Sequence, residues 1–185
     1  MLHLPLNSIT ETGLELDQTV DVVDLQPLAA HTREGDAAFN GSVQVSIRAQ
    51  RSGETIAIEG HARTEVRLTC SRCLTEFDQR LEAVFSARAM PQRQVPTVAA
   101  GDEIELSAED MDSLEYEGNS VDLRGEVAQQ LIMALPFNPL CRPSCKGLCS
   151  RCGVDLNRAS CECSAAEATS PFAVLKTFRL PEKKD

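Results

Sequence analysis

Between Phe39 and about Met90 the apolar residues fall at every second position. "SVQVSIRA" places Val43, Val45 and Ile47 on one face, and Ile56 and Ile58 repeat the alternation after the turn "RSGE". Ala62, Thr64, Val66 and Leu68 resume it after Gly60, and Phe77, Leu81, Ala83 and Phe85 continue it beyond "CSRC". Successive side chains of a strand point to opposite faces, so a period of two broken by short polar turns predicts an antiparallel meander. Near the start, "LHLPL" and "GLELDQTVDVVDL" are candidate edge strands. Pro5 favours an edge because it has no N–H to give to a ladder.

From Pro91 to Asn119 the alternation stops. Pro91 and Pro96, "AAGDE" and a run of acids leave only "EIEL" resembling a strand, so a solvated loop is expected. In "VDLRGEVAQQLIMALP" the period changes to that of a helix, with Leu123, Val127, Ala128, Leu131, Ile132 and Leu135 on one side. Asp122 is the candidate N-cap and Pro136 the stop. This helix should lay its apolar stripe on the sheet. Ser170 as a cap and Pro171 at the first helical position predict a short terminal helix in "SPFAVLKTFRL". No repeat of solenoid type is present.

Composition narrows the picture. With 185 residues, 42% of them apolar and no Trp, the chain suits one modest core with a small appendage. No run approaches the roughly 20 apolar residues of a spanning helix, and "MLHLPLNSIT" lacks the basic and long apolar regions of a secretory signal. A cytoplasmic protein without membrane contact is expected. The net charge of −10 is concentrated between Gly101 and Glu126, where ten acids face the single base Arg124. The remainder is nearly neutral, so the overall acidity says little about what other surfaces bind. The acidic stretch 101–126 reads as a solvated linker, with docking of a basic protein as its functional alternative.

The eight cysteines change the picture most. They come in four pairs, Cys70 with Cys73, Cys141 with Cys145, Cys149 with Cys152 and Cys161 with Cys163. "CRPSCKGLCSRCG" packs four of them among Arg, Lys, Pro and Ser with almost nothing apolar, so burial alone cannot hold that segment. Disulfides do not persist in a reducing cytosol, which points to metal. Two thiolates on one tight turn supply half of a tetrahedral zinc site, and four turns supply two sites. Gly153 suits the positive φ that often closes such a turn. One joining sets Cys70 and Cys73 with Cys141 and Cys145, and Cys149 and Cys152 with Cys161 and Cys163. The competing one groups Cys141, Cys145, Cys149 and Cys152. One or two structural zinc ions are expected, ahead of an iron–sulfur cluster.

The fold class is therefore α+β. A small antiparallel β-sheet or barrel-like domain covers 1–90, an acidic linker 91–120, one packed amphipathic helix 121–136, and a cysteine-rich, zinc-stabilised segment with the terminal helix 137–185. His3, His31 and His61 lie far in sequence from every cysteine pair and read as surface polar residues. No Ser/His/Asp order, phosphate-binding glycine loop or metalloprotease helix appears, so no catalytic residue is assigned. An enzyme or thiol sensor cycling Cys70 and Cys73 is the alternative.

Four motifs then occur together: "VRLTCSRCLTEF", "VDLRGEVAQQLIMALPFNPLC", "CKGLCSRCGVDLN" and "SPFAVLKTF". In this order they resemble the YceD family, the large ribosomal RNA subunit accumulation proteins, from about Val66 to the C-terminus. The resemblance implies a non-enzymatic role in synthesis, processing or stability of the large-subunit 23S ribosomal RNA. It also implies that metal binding is not essential to that role, since members differ in how many C-terminal cysteines they keep. The expected partner is that RNA or its precursor, met directly or through a basic ribosomal protein, with no small-molecule substrate. Arg142, Lys146, Arg151, Arg158, Lys176 and Arg179 are the candidate contact residues. A four-thiolate zinc site, at about −2, offsets part of their charge. Phe172 and Phe178 could stack on bases, although aromatics at helical spacing are more often core.

Overall fold

The computed structural model describes residues 2–10, 12–34, 37–92 and 113–163. The terminal helix with Phe172, Lys176, Phe178 and Arg179, the strand-like "EIEL" and most of the acidic stretch lie outside them. The chain divides into two compact units, Met1–Cys145 and Lys146–Asp185.

The first unit is built on the meander that the alternation predicts. Strands β1 (His3–Pro5) and β2 (Leu14–Asp21) are followed by helix α1 (Gln26–Glu34) and three long strands, β3 (Ala37–Ser52), β4 (Thr55–Thr69) and β5 (Glu76–Pro91). Two short strands, β6 (Ser113–Tyr116) and β7 (Ser120–Asp122), precede helix α2 (Arg124–Met133). The main sheet runs β2-β3-β4-β5-β6, antiparallel except for the parallel β5–β6 pair. Residues 92–112 supply the length that a parallel return needs. The described strands form an open order rather than a closed barrel, with β2 and β6 at the edges.

In β3 to β5 buried and exposed residues alternate over most of their length. Their odd or even set packs into one core with Leu25 and Leu28 around α1 and Leu123, Val127, Ala128 and Leu131 around α2. The first helix packs on the second and on β3, and the second packs on β5. The β3–β4 hairpin closes through a two-residue loop, Gly53-Glu54, with Gly53 at φ +64°.

Several elements differ from the sequence reading. Gly60 does not divide two strands, because β4 passes straight through it. Its cross-strand partner is Phe85, whose ring occupies the space that a side chain at Gly60 would need. "LHLPL" does not extend the main sheet; β1 pairs with β7 in a separate two-stranded ribbon. A second helix, α1, stands where the sequence reading has none: its nine residues carry a short apolar stripe, and among those described only Leu28 is deeply buried. β6 lies in the stretch read as a loop. Asp122 caps α2 from one position further out than expected: Leu123 occupies the cap, and the Asp122 carboxylate accepts the Arg124 N–H at 3.0 Å. The Arg124 guanidinium also donates to that carboxylate and holds it below the usual carboxylate range.

Strand β3 carries an irregularity. Asn40 faces Glu65 while Gln44 faces Arg63, so β3 has two residues more than β4 at this point. An even insertion keeps the phase, and Phe39, Val43, Val45 and Ile47 all stay on the core face. Gly41, at φ +80°, makes the bend, and the buried Thr64 hydroxyl donates to the Ser42 carbonyl at 3.2 Å.

Candidate metal centres

The buried face of β4 runs Thr64, Val66, Leu68, and its next inward position is Cys70. The β4–β5 hairpin loop, Cys70 to Thr75, is thus aimed so that its first cysteine is fully buried. Within it the Cys70 carbonyl accepts the Leu74 N–H at 2.9 Å, and the Cys70 N–H donates to the Thr75 carbonyl at 3.0 Å. Leu74 takes φ +58°, which closes the turn. Just past α2 the chain returns: Ser71 N–H donates to the Pro139 carbonyl at 2.8 Å, and the Arg72 guanidinium donates to the Cys145 carbonyl at 2.9 Å. These bonds bring the β4–β5 loop and the C-terminal end of the unit together at the cysteines.

Cys70, Cys73, Cys141 and Cys145 form one group in which every sulfur lies within 4.8 Å of the others. Cys70 Sγ is 3.8 Å from Cys145 Sγ, and Cys73 Sγ is 3.7 Å from Cys141 Sγ. A tetrahedron with metal–sulfur bonds of about 2.3 Å has sulfur–sulfur edges of about 3.8 Å. The set fits one metal ion.

The second unit repeats the device. Cys149 carbonyl accepts the Gly153 N–H at 2.9 Å, Cys149 N–H donates to the Val154 carbonyl at 2.8 Å, and Gly153 sits at φ +73°. An antiparallel bridge, Leu148 with Asp155, and an Asp155–Asn157 turn that also receives the Lys146 N–H frame the loop. Cys149, Cys152, Cys161 and Cys163 again lie within 4.8 Å of one another. Of the two ways to join the pairs, the structure brings together the one that places a site in each unit.

Electrostatics follow the same plan. Burial alone would push the Cys70 thiol up, but backbone N–H groups of Cys141, Cys73 and Arg72 reach its sulfur and bring it down to about 6. N–H groups of Cys152 and Arg151 bring Cys149 to about 6. Burial and the sulfurs of Cys73 and Cys145 push Cys141 up to about 12, and the Cys152 sulfur does so for Cys163. The first thiolate in each cluster forms easily and the last is opposed by its neighbours. A cation at the centre removes that opposition.

The clusters differ in exposure. Cys70, Cys73 and Cys145 are buried, whereas Cys152 and Cys163 are exposed. The histidines belong to neither group and are half-buried rather than on the surface, His31 lying 6.3 Å from the Phe39 ring. Arg142 is exposed in the first unit; Lys146, Arg151 and Arg158 are exposed in the second, where Arg158 lies 3.5 Å from Asp155. The structural roles of Leu74 and Arg72 were not read from the sequence. The signal was there: both turns are spelled "CSRC", so the residue after each tetrad, Leu74 or Gly153, must take the same backbone shape.

These features define an α+β protein with a long-stranded meander and two four-cysteine clusters able to hold metal. The family model of the large ribosomal RNA subunit accumulation protein YceD matches residues 58–179, and the chain belongs to that family. It is 25% identical over 159 residues to the chloroplastic "Large ribosomal RNA subunit accumulation protein YCED homolog 1" of Arabidopsis thaliana, covering 74% of this chain and 48% of the relative. The Zea mays homolog of the same name is 25% identical over 142 residues, 65% of this chain and 48% of the relative. An uncharacterized protein of Mycobacterium tuberculosis strain H37Rv is 26% identical over 115 residues, 62% and 51% of the two chains. The chain spans about half the length of these relatives. No solved structure matches significantly. No helix among the described residues is long and apolar enough to cross a membrane.

Proposed function

We propose that this chain is a non-enzymatic, cytoplasmic factor in the accumulation of large-subunit 23S ribosomal RNA, acting in its synthesis, processing or stability. The observation that carries this reading is the family match, whose residues 58–179 include both "CSRC" turns and α2. Zinc is the metal we assign to both clusters: an all-thiolate tetrahedron with no open position is the donor set of structural zinc. When bound it supplies a crosslink, joining the β4–β5 loop to the segment after α2 in one unit and closing the Cys149 loop in the other. Arg142, Lys146, Arg151, Arg158, Lys176 and Arg179 meet phosphates of the ribosomal RNA or its precursor, or a basic ribosomal protein stands between. Thiol catalysis at Cys70 and Cys73 is the weaker reading, since both are buried and a lowered thiol pKa serves a metal ligand as well as a nucleophile.

The test is sedimentation. Tagged protein should travel with large-subunit precursor particles, and cells depleted of it should show a reduced ratio of large- to small-subunit ribosomal RNA. Protein confined to the soluble pool, with a normal ratio on depletion, overturns the reading.

A further inference from the structure

The irregularity in β3 leaves a cavity of about 390 Å3 between Asn40–Gln44 and the facing residues of β4 and β5. Nothing lies within 4 Å of where a Gly41 side chain would begin, so the bend itself keeps the space open. The lining is polar: the amides of Asn40 and Gln44, the guanidinium groups of Arg63 and Arg80, and the Glu65 carboxylate. Arg63 is held at 3.3 Å by Glu82, while Arg80 makes no ion pair with the described residues. Glu82 neutralises Arg63, so Arg80 is the guanidinium left to meet an anion, with Glu65 opposite it in register, and the two amides beside them offer the paired donors and acceptors that read a base edge.

We propose that this cavity binds one nucleotide unit, Arg80 meeting its phosphate and Asn40 and Gln44 its base edge, with Glu65 placed to accept from a ribose hydroxyl or an exocyclic amine. Single-stranded RNA is where such an unstacked base is presented. The choice of RNA as the source rests on the ribosomal reading above; a free nucleotide would offer the same groups.

The probes are a mixed-sequence single-stranded RNA hexamer and adenosine monophosphate, titrated into the full chain and followed by backbone amide shifts and by fluorescence anisotropy. Binding should move the amides of Asn40–Gln44 and Arg63–Glu65. Arg80→Gln should weaken it on the order of tenfold and flatten the salt dependence by about one phosphate's worth, and Arg80→Lys should recover part of the loss. Arg80 is exposed, so an unchanged melting temperature verifies that the variant is folded. Stronger binding of the hexamer identifies an RNA strand as the source; equal binding of the monophosphate identifies a free nucleotide. If neither probe binds, or Arg80→Gln binds like the parent with shifts elsewhere, the site is refuted. That result beside normal sedimentation with precursor particles removes the cavity alone, whereas failed sedimentation with the cavity still binding removes the ribosomal reading alone.

Discussion

At the scale of single residues, the two metal turns are the same solution written with different side chains. Gly153 takes φ +73° without cost from a Cβ, whereas Leu74 takes φ +58°. A left-handed conformation costs a non-glycine residue about 1–2 kcal/mol. Glycine in its place would restore roughly 0.4–1 kcal/mol of unfolded-state entropy to be lost on folding. Leu74 is 65% exposed, so little burial is forfeited. Leu74→Gly is therefore expected to stabilise the metal-loaded protein by up to about 1 kcal/mol, read from the urea midpoint at unchanged slope. A lower midpoint would show that the Leu74 side chain makes a contribution the turn geometry does not explain. Gly60 illustrates the reverse limit of sequence reading. As a residue it looks like a break, and only its partner Phe85, 25 positions later and directly opposite in register, reveals why a strand keeps it.

At the scale of elements, legibility tracked how local the cause was. The long strands were plain because alternation is a property of each strand by itself, and α2 was plain because its three buried positions and Leu123 just before it recur at helical spacing. β6 was not, since "SLEY" is four residues whose strand character comes from lying parallel to β5, across residues 92–112. The cysteine clusters were legible as ligand sets, yet spacing left two joinings open, and what separates them is the hydrogen bond from Ser71 to Pro139 across the fold. That bond also predicts different behaviour for the two sites. The first cluster is enclosed, with Cys70 and Cys145 nearly inaccessible; the second exposes Cys152 and Cys163. Chelator added in steps should remove metal from the second cluster first. Native mass spectrometry with thiol alkylation should show a one-metal species labelled at Cys149, Cys152, Cys161 and Cys163 but not at Cys70, Cys73 or Cys145. Simultaneous loss from both, or labelling of Cys70 first, would contradict this order.

At the scale of the whole molecule, the division after Cys145 leaves each unit with a complete set of four sulfurs. The first unit also holds the whole described core, from Leu2 to Leu131. The second has almost no buried apolar residues among those described and depends on its ligand set, where metal can supply on the order of 10 kcal/mol. A chain ending at Cys145 should accordingly fold, bind one metal ion and melt cooperatively, whereas residues 146–185 alone should be ordered only with metal. The charge balance makes the same truncation informative about function. A chain of net charge −10 has no general attraction for RNA, so binding must come from local cations. Lys146, Arg151, Arg158, Lys176 and Arg179 leave with the second unit, and each phosphate contact contributes about 0.7 to the slope of log affinity against log salt for single strands. If those residues meet phosphates, removing them should reduce the slope by about 3.5 while leaving the nucleotide-induced shifts around Gly41 in place. An unchanged slope would mean that the cysteine-rich unit meets protein rather than RNA, and the contact residues assigned to it would then be facing a ribosomal protein's acids.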